Sequence, residues 1–265
     1  MNIEALQPFL DCILVLGLCS SRIVGFCTIS VFFTSQYLSG TARRAAVLAL
    51  SLITIPCLYE KGTDLFLNEK TLFFFTLFKE IFLGIILGWL TNFIFYVAQS
   101  VGFIIDTQRG ASMASMFDPL SNSQTSPLGD FLMKFVMTLA ILSGGFLFLL
   151  KGVYLSYELI PVFIDFDFFK INGVTFFNKF VNDDLFQTIA LLGGPVLFIL
   201  FLAEFGLGLV TRFAPQLNVF FLAMPIKSEL AMFFFILYLS YLARYFCGHF
   251  EEKSGFDAFF KLFVQ

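Results

Sequence analysis

Long runs of apolar residues, separated by short polar stretches, make up most of the chain. A helix needs about 20 such residues to cross the hydrocarbon core of a bilayer. Because a backbone in hydrocarbon must satisfy its polar groups within its own segment, each run is predicted to be a helix. About six runs reach or approach the required length, the second being the shortest: 9–33, 45–59, 72–105, 131–150, 186–210 and 219–246.

The third run is longer than one span requires. It fits either a tilted helix with an overhang or a helix that breaks near Gly84 or Gly88. After the fourth run, residues 151–185 alternate acidic and aromatic side chains, which indicates an interfacial or water-exposed connection with short helices. The last two runs are predicted to pair as a C-terminal helical hairpin over residues 186–246.

A polar island, residues 106–130, separates the third and fourth runs. Asp106 and Arg109 are three residues apart, so on a helix their side chains can pair. Gly110 follows, and glycine commonly ends a helix. Small residues and methionines come next, which suits close packing that can be broken at low cost. The island is either an ordinary solvent-exposed loop or a re-entrant segment inside a protein assembly.

The helix after the island is predicted to begin close to its end. Ser126 or Ser123 is suited to cap the first turn, and Pro127 is suited to the first helical position. Two residue types that interrupt helices, proline and glycine, make the preceding stretch a series of turns.

Several ionisable residues lie inside the apolar runs. Each costs about 2.5–3.5 kcal/mol at the centre of a membrane helix, so these side chains should face protein or water. They serve either as structural pairs between helices or in function. Lys79 and Glu80 fit a position near a helix end, where long side chains reach the interface. The set comprises Arg22, Lys79, Glu80, Glu204, Lys227 and Glu229.

The connection between the last two runs also carries polar residues. Pro215 lacks an N–H and disfavours helix at the residue before it, so the chain should turn here. Gln216 and Asn218 can then bond to the freed backbone groups. If the two helices fold back on each other, Lys227 is the best partner for Glu204.

Composition places the chain in a membrane. Of its 265 residues, 58% are hydrophobic, 41 are Phe and only 13% are charged, whereas soluble domains carry about 25% charged residues. The net charge of -3 disfavours nucleic acid, which calls for a basic surface. The N-terminus lacks a basic region, since Glu4 and Asp11 lie there, so no cleavable signal peptide is expected. The charges in the loops give little indication of how the helices are oriented across the membrane, because Arg43 and Arg44 are the one cationic pair.

Candidate catalytic chemistry is sparse. The sequence has one histidine, His249, and five cysteines without metal-ligand spacing. Neither G-x-x-x-x-G-K-[ST] nor G-x-G-x-x-G is present, so no phosphate loop is predicted. We therefore expect no enzyme, no metal and no cofactor.

Two long motifs resemble one family. The sequence GFIIDTQRGASMASMFDPLSNSQTSPLGDF, residues 102–131, resembles the central signature of the FliR/SctT family of type III export-apparatus proteins. The sequence LAEFGLGLVTRFAPQLNVFFLAMPIKS, residues 202–228, resembles its C-terminal signature. The order of apolar runs agrees over nearly the whole chain. Asp106-x-Gln108-Arg109-Gly110 and Lys227-Ser228 are more similar to the virulence-associated injectisome branch (SpaR/YscT) than to the flagellar branch.

The resemblance implies an architecture and a set of partners. The fold would be an all-α, membrane-associated single domain of tilted helical hairpins, similar to an SctR-like part fused to an SctS-like hairpin. One copy would join several SctR-like and SctS-like subunits in a helical export gate. An SctU-like switch protein, an SctV-like export gate and unfolded secreted substrates would be further partners. The location would be the bacterial inner membrane, with much of the assembly on the periplasmic side.

The resemblance also implies that the island, residues 106–130, plugs the closed channel. Asp106 and Arg109 are interpreted as the hinge pair of this loop. Polar contacts that hold helices and subunits in register are expected at Glu204, Arg212, Gln216, Asn218 and Lys227. The plug itself is carried onto Gly110, Ala111, Ser112, Met113, Ala114, Ser115, Met116 and Phe117.

Other functions remain open. A secondary transporter or small-molecule channel could use Glu204 and Asp106 as coupling carboxylates, but it predicts inverted repeats, and no convincing internal repeat appears. An intramembrane enzyme would need a nucleophile, base or metal constellation. A scaffold without a pore would differ from a gate in that cross-linkers in the loop would trap no substrate.

Overall fold

The chain folds into helices. In the computed structural model, the described residues form helices and turns, and no strand occurs among them. Their contacts divide into two compact units, unit 1 within Met1–Asn92 and Leu147–Asp167, and unit 2 within Phe93–Phe146 and Phe168–Lys253. The described residues are 16–18, 20–34, 37–54, 70–111, 126–162, 178, 181, 185–213 and 219–252.

The described residues include eight α-helices, in chain order. They are α1 (Leu16–Ile29), α2 (Gly40–Leu52), α3 (Lys70–Thr91), α4 (Phe93–Arg109), α5 (Pro127–Leu142), α6 (Gly145–Leu159), α7 (Gln187–Phe213) and α8 (Val219–Glu252). A short 3-10 helix, Val31–Phe33, follows α1.

Unit 1 is built on a close contact between α1 and α3. A Cβ at Gly84 would overlap the carbonyl oxygen of Arg22, and one at Gly25 would overlap that of Ile81. Glycine permits this approach because it has no side chain, and small residues serve the same purpose between membrane helices. Of the two alternatives for the third run, the break near Gly84 or Gly88 is wrong, since both glycines lie inside the unbroken helix α3.

The long third run breaks at Asn92 instead. The Asn92 side chain is fully buried and donates from Nδ2 to the carbonyl of Ile29 at 2.6 Å. Its Oδ1 accepts the N–H of Val31 at 3.0 Å. Asn92 thus satisfies backbone groups that the end of α1 leaves free, which explains a polar residue at the α3–α4 junction.

The fourth run is also two helices rather than one. Gly144 has φ +78 and follows Ser143, the C-cap of α5, and α6 runs from Gly145 to Leu159. Residues 151–159, predicted to belong to a connection, are helical. The spacing of the buried residues agrees with a helix here, because Val153, Ser156 and Ile160 are three and four positions apart.

A buried ion pair joins three helices of unit 1. Arg22 Nε on α1 donates to Glu80 Oε2 on α3 at 2.6 Å, and both side chains are 0% exposed. Arg22 also donates to Ser156 Oγ at 3.0 Å and to the carbonyl of Ile160 at 2.9 Å, at the end of α6. The Tyr157 ring lies 4.2 Å from the guanidinium carbon. Glu80 lies midway along the 22-residue α3, so its predicted position near a helix end is wrong.

Unit 2 packs α4, α5, α7 and α8 around an apolar core. The backbones of α4 and α5 touch where a Cβ at Gly102 would meet the backbone of Gly129. The last two helices, α7 and α8, lie against each other. Phe95, Leu132 and Leu200 are fully buried in this core.

The membrane character expected from composition is confirmed. Within the described residues, three helical stretches are long and apolar enough to cross a bilayer: Phe73–Thr91, Gln187–Val210 and Ala223–Gly248. The α5–α6 pair would make a fourth if it counts as one broken span. Large apolar side chains on α7 face outward, among them Phe198, Phe201 and Phe205. In hydrocarbon or against other apolar helices, such a surface carries no penalty.

Candidate functional site

The carboxylate of Asp106 is the centre of the polar cluster in unit 2. It lies one turn before the end of α4 and is 3% exposed. Its Oδ1 accepts a hydrogen bond from Arg109 Nε at 2.8 Å. Its Oδ2 accepts from Ser126 Oγ at 2.6 Å and from the N–H of Leu128 at 2.9 Å. We name Asp106, Arg109, Ser126 and the Leu128 N–H the Asp106 clamp.

The clamp is possible because of how α5 begins. Ser126 is the N-cap of α5, and Pro127 occupies its first turn. The Ser126 hydroxyl accepts from the N–H of Gly129 at 3.0 Å while it donates to Asp106. The buried carboxylate takes a second N–H from this first turn, where helices leave N–H groups free and favour negative charge. The choice of Ser126 as cap is thereby confirmed.

Gly110 and Ala111, which follow the predicted pair of Asp106 and Arg109, determine how α4 ends. Gly110 has φ +89, a conformation that favours glycine, and its N–H bonds to the carbonyl of Thr107. The N–H of Ala111 bonds to the carbonyl of Asp106 at 3.0 Å. The prediction that Gly110 ends the helix is confirmed. The carbonyl of Asp106 therefore holds residue 111, and its carboxylate holds residue 126.

The predicted pairing of Asp106 with Arg109 is also confirmed, as a hydrogen-bonded ion pair at 2.8 Å. Arg109 has a second partner that the spacing did not suggest. Its Nη1 donates to Ser228 Oγ on α8 at 3.1 Å. One guanidinium thus joins the clamp to the last helix.

A second polar contact lies beside the first. Lys227 Nζ pairs with Glu204 Oε1 at 3.2 Å, as the hairpin prediction required. Glu204 Oε2 also accepts from Gln108 Nε2 at 3.2 Å. The Glu204 side chain is 54% exposed, so this contact is at the surface of unit 2 rather than in its core. The role of Glu204 in holding helices and subunits in register stays a prediction.

The remaining predicted site residues divide by position. Arg212 is exposed in the last turn of α7, so it is not buried in unit 2. Ser112, Met113, Ala114, Ser115, Met116 and Phe117 lie outside the described residues, as do Gln216 and Asn218. Gly110 and Ala111 are the described part of the predicted plug.

Sequence reasoning missed Ser228 and Gln108 as contacts of this site. Both contacts join residues far apart in the chain, 119 positions for Arg109 with Ser228 and 96 for Gln108 with Glu204. No local spacing rule reaches that far. The only usable signal was that two polar pairs, Gln108-Arg109 and Lys227-Ser228, stand at the ends of apolar runs.

The chemistry of the clamp is structural rather than reactive. Asp106 is already bonded on both oxygens, so it is poorly placed to take a proton from a substrate. Within the part of the chain that the structure describes, no three His, Cys, Asp or Glu residues could together hold a metal ion. The arrangement instead holds residues 111 and 126 at the same residue, Asp106.

Comparison with known proteins gives a consistent result. The sequence model of the family described as bacterial export proteins, family 1, matches residues 13–253. Over 161 residues the chain is 45% identical to the Yop proteins translocation protein T of Yersinia pestis, covering 60% of this chain and 61% of that protein. The match therefore spans less than two thirds of that relative's length.

Two further relatives are covered more fully. The surface presentation of antigens protein SpaR of Salmonella typhimurium is 31% identical over 209 residues, which is 79% of this chain and 76% of that protein. The flagellar biosynthetic protein FliR of Bacillus subtilis is 27% identical over 231 residues, which is 85% and 88% of the two chains.

Proposed function

Because the chain belongs to the bacterial export proteins, family 1, we propose that it is a component of the inner-membrane export gate of a type III protein secretion system. In this role it forms and gates a channel for unfolded secreted proteins and catalyses no reaction. The observation that carries the proposal is the extent of the family match, residues 13–253 of 265. The three membrane-length helices support a location in the bilayer.

The injectisome branch is the better assignment within this function. Relatives whose names refer to Yop translocation and antigen presentation are 45% and 31% identical, against 27% for the flagellar relative of Bacillus subtilis. Exported proteins would then be virulence factors. The Asp106-x-Gln108-Arg109-Gly110 motif supports the same branch, because it resembles the injectisome signature more than the flagellar one.

The gating element of this proposal is the island that follows α4. Gly110 to Phe117 would form a plug, and Asp106 and Arg109 would act as its hinge pair. The Asp106 clamp supports this idea, because Asp106 holds both residues: its backbone carbonyl accepts from the N–H of Ala111, and its buried carboxylate accepts from Ser126. A segment whose two ends are fixed at one point can fill a channel without pulling the helices apart. Methionine and small side chains would make its contacts easy to break and re-form.

The exposed apolar surface of unit 2 supports the proposed partners. Phe198, Phe201 and Phe205 of α7 face outward and need hydrocarbon or other apolar helices against them. SctR-like and SctS-like subunits would supply such helices, with this chain as the single copy and much of the complex on the periplasmic side. An SctU-like switch protein and an SctV-like export gate would adjoin it. Glu204, Arg212, Gln216, Asn218 and Lys227 would provide polar contacts in this assembly.

Co-purification tests the assembly. The chain carries an affinity tag, is expressed with the other inner-membrane proteins of its secretion system, and is extracted in mild detergent. We expect it to emerge with multiple copies of two other small apolar proteins. A chain that emerges alone and catalyses substrate-dependent ion flux in vesicles would overturn the export-gate proposal in favour of a secondary transporter.

Deletion of the plug tests the gating role. Removal of residues 110–117 should raise ion leakage through the assembled complex, because the closed channel loses its obstruction. Normal assembly with unchanged conductance would contradict it. A cross-linker placed in the same segment should also trap a translocating substrate, which a scaffold without a pore would not do.

A further inference from the structure

One face of α8 lies against the end of α4, directly at Arg109, beside Gly110, and at Gln108 only through Glu204 of α7. Ser228 accepts from Arg109, and Lys227 pairs with the same Glu204 that accepts from Gln108. One turn earlier, Met224 Cγ lies 3.5 Å from the position that a Cβ on Gly110 would take. Positions 224, 227 and 228 share a helix face because they are three and four residues apart.

These contacts differ in strength from those inside the clamp. Asp106 is 3% exposed, and its bonds to Ser126 and the Leu128 N–H are 2.6 and 2.9 Å long. The contacts to α8 are longer, at 3.1 and 3.2 Å, and the Glu204 carboxylate is half exposed. Partly exposed ion pairs contribute little to stability, so these outer contacts break more readily than the clamp.

Arg109 belongs to both sets. Its Nε holds Asp106 Oδ1, and its Nη1 holds Ser228 Oγ. A guanidinium is planar and rigid, so the direction of one hydrogen bond limits the direction of the other. If Ser228 moves with α8, Arg109 cannot keep both bonds at their present geometry.

We infer that Ser228, with Met224 and Lys227, is a positioning residue for the Asp106 clamp. Through Arg109, α8 determines how firmly Asp106 holds the first turn of α5. The last helix of the chain therefore controls the site that joins residues 111 and 126. This inference deepens the proposed function, and its consequence for conductance rests on that function.

Backbone hydrogen exchange in the assembled complex tests the inference, with the amides of Leu128 and Gly129 as probes. In S228A, Arg109 loses one acceptor, and exchange at Leu128 should become about fivefold to tenfold faster, the ratio expected for the loss of one hydrogen bond. S228T keeps the hydroxyl and should restore the wild-type rate. S240A is the matched control, because Ser240 is exposed on the same helix and, among the described residues, bonds to Leu237 of its own helix alone.

Wild-type exchange at Leu128 in S228A, or the same acceleration in S240A, would overturn the inference. The closed-state ion conductance of the same S228A complex is then measured separately. Faster exchange with raised conductance supports both the inference and the gate. Faster exchange with unchanged conductance supports the control of the clamp by α8 and counts against the gating role, so the two failures are distinguishable.

Discussion

Glu80 in unit 1 and Asp106 in unit 2 are both buried carboxylates, but they have different structural roles. Glu80 lies in the middle of a helix and pairs with Arg22, 58 residues earlier in the chain. Asp106 lies at a helix end and bonds to groups 3, 20 and 22 residues later. The first joins three helices into a fixed core. The second joins the two ends of one loop.

The two sites differ in how much movement of their side chains they allow. Arg22 and Glu80 are both 0% exposed, so Arg22 without Glu80 would be an unpaired buried charge, and Glu80 without Arg22 would keep only Lys79 Nζ, at 3.6 Å from Oε1. The Asp106 clamp is buried at its centre, but its Arg109 arm is 14% exposed and leads to contacts at the surface. We therefore expect unit 1 to be rigid around Glu80, and unit 2 to adjust at the Arg109 side of the Asp106 clamp.

The largest expected effect is the loss of one member of the unit 1 pair. E80Q should lower the free energy of unfolding in detergent by about 3–5 kcal/mol, because Arg22 keeps its charge in a buried site. The double variant R22M/E80M, which removes both charges and keeps apolar volume, should be much more stable than E80Q. Equal losses in the two variants would show that burial of an unpaired charge is not the cause.

Close glycine contacts should matter about equally in both units. G84A and G102A each place a methyl group against backbone, and each should lower the free energy of unfolding by about 1–3 kcal/mol through overpacking. In G206A, where nothing lies within 4 Å of the added Cβ, stability should rise by about 0.5–1 kcal/mol. Destabilisation by G206A equal to that by G84A would contradict the close contact between α1 and α3.

Removal of the Asp106 charge should have a more local effect. D106N keeps the shape but loses charge-assisted acceptance, and it should destabilise the start of α5 by about 1–3 kcal/mol, read from amide exchange at Leu128. D130N is the control, since Asp130 is exposed in the same first turn. It should cost only about 0.3–1 kcal/mol through the helix dipole. An effect of D106N no larger than this would remove Asp106 from the centre of the site.

The smallest effect is expected at the surface of unit 2. K227M removes the pair with the half-exposed Glu204 and should change stability by about 0–1 kcal/mol. The change should shrink further as ionic strength rises, because salt screens exposed charges. A salt-independent loss of several kcal/mol would mean that Lys227 is part of the rigid core.

Local chemistry made much of unit 2 predictable from the sequence. The spacing of Asp106 and Arg109, the stop at Gly110 and the cap at Ser126 each depend on residues within a few positions of one another. Turn and cap rules describe such contacts directly. Glu204 with Lys227 was predictable because the hairpin placed them together, but its exposure was not.

Unit 1 was less predictable for a physical reason. Its helix boundaries are set by partners that are distant in sequence, such as Asn92 with Ile29 and Val31. Gly84 looked like a break because glycine weakens an isolated helix, yet here it permits contact with α1. Glu80 looked like an end residue because its partner, Arg22, could not be assigned from spacing.

Ion conductance of the assembled complex tests the central claim, that the Asp106 clamp holds the gating segment of an export channel closed. Wild type, D106N and D130N are compared in the same membrane, with assembly verified by co-purification of the partner subunits. We expect D106N to leak ions in the resting state while D130N matches wild type. A fully assembled D106N complex that conducts no more than wild type, despite fast exchange at Leu128, would contradict the claim.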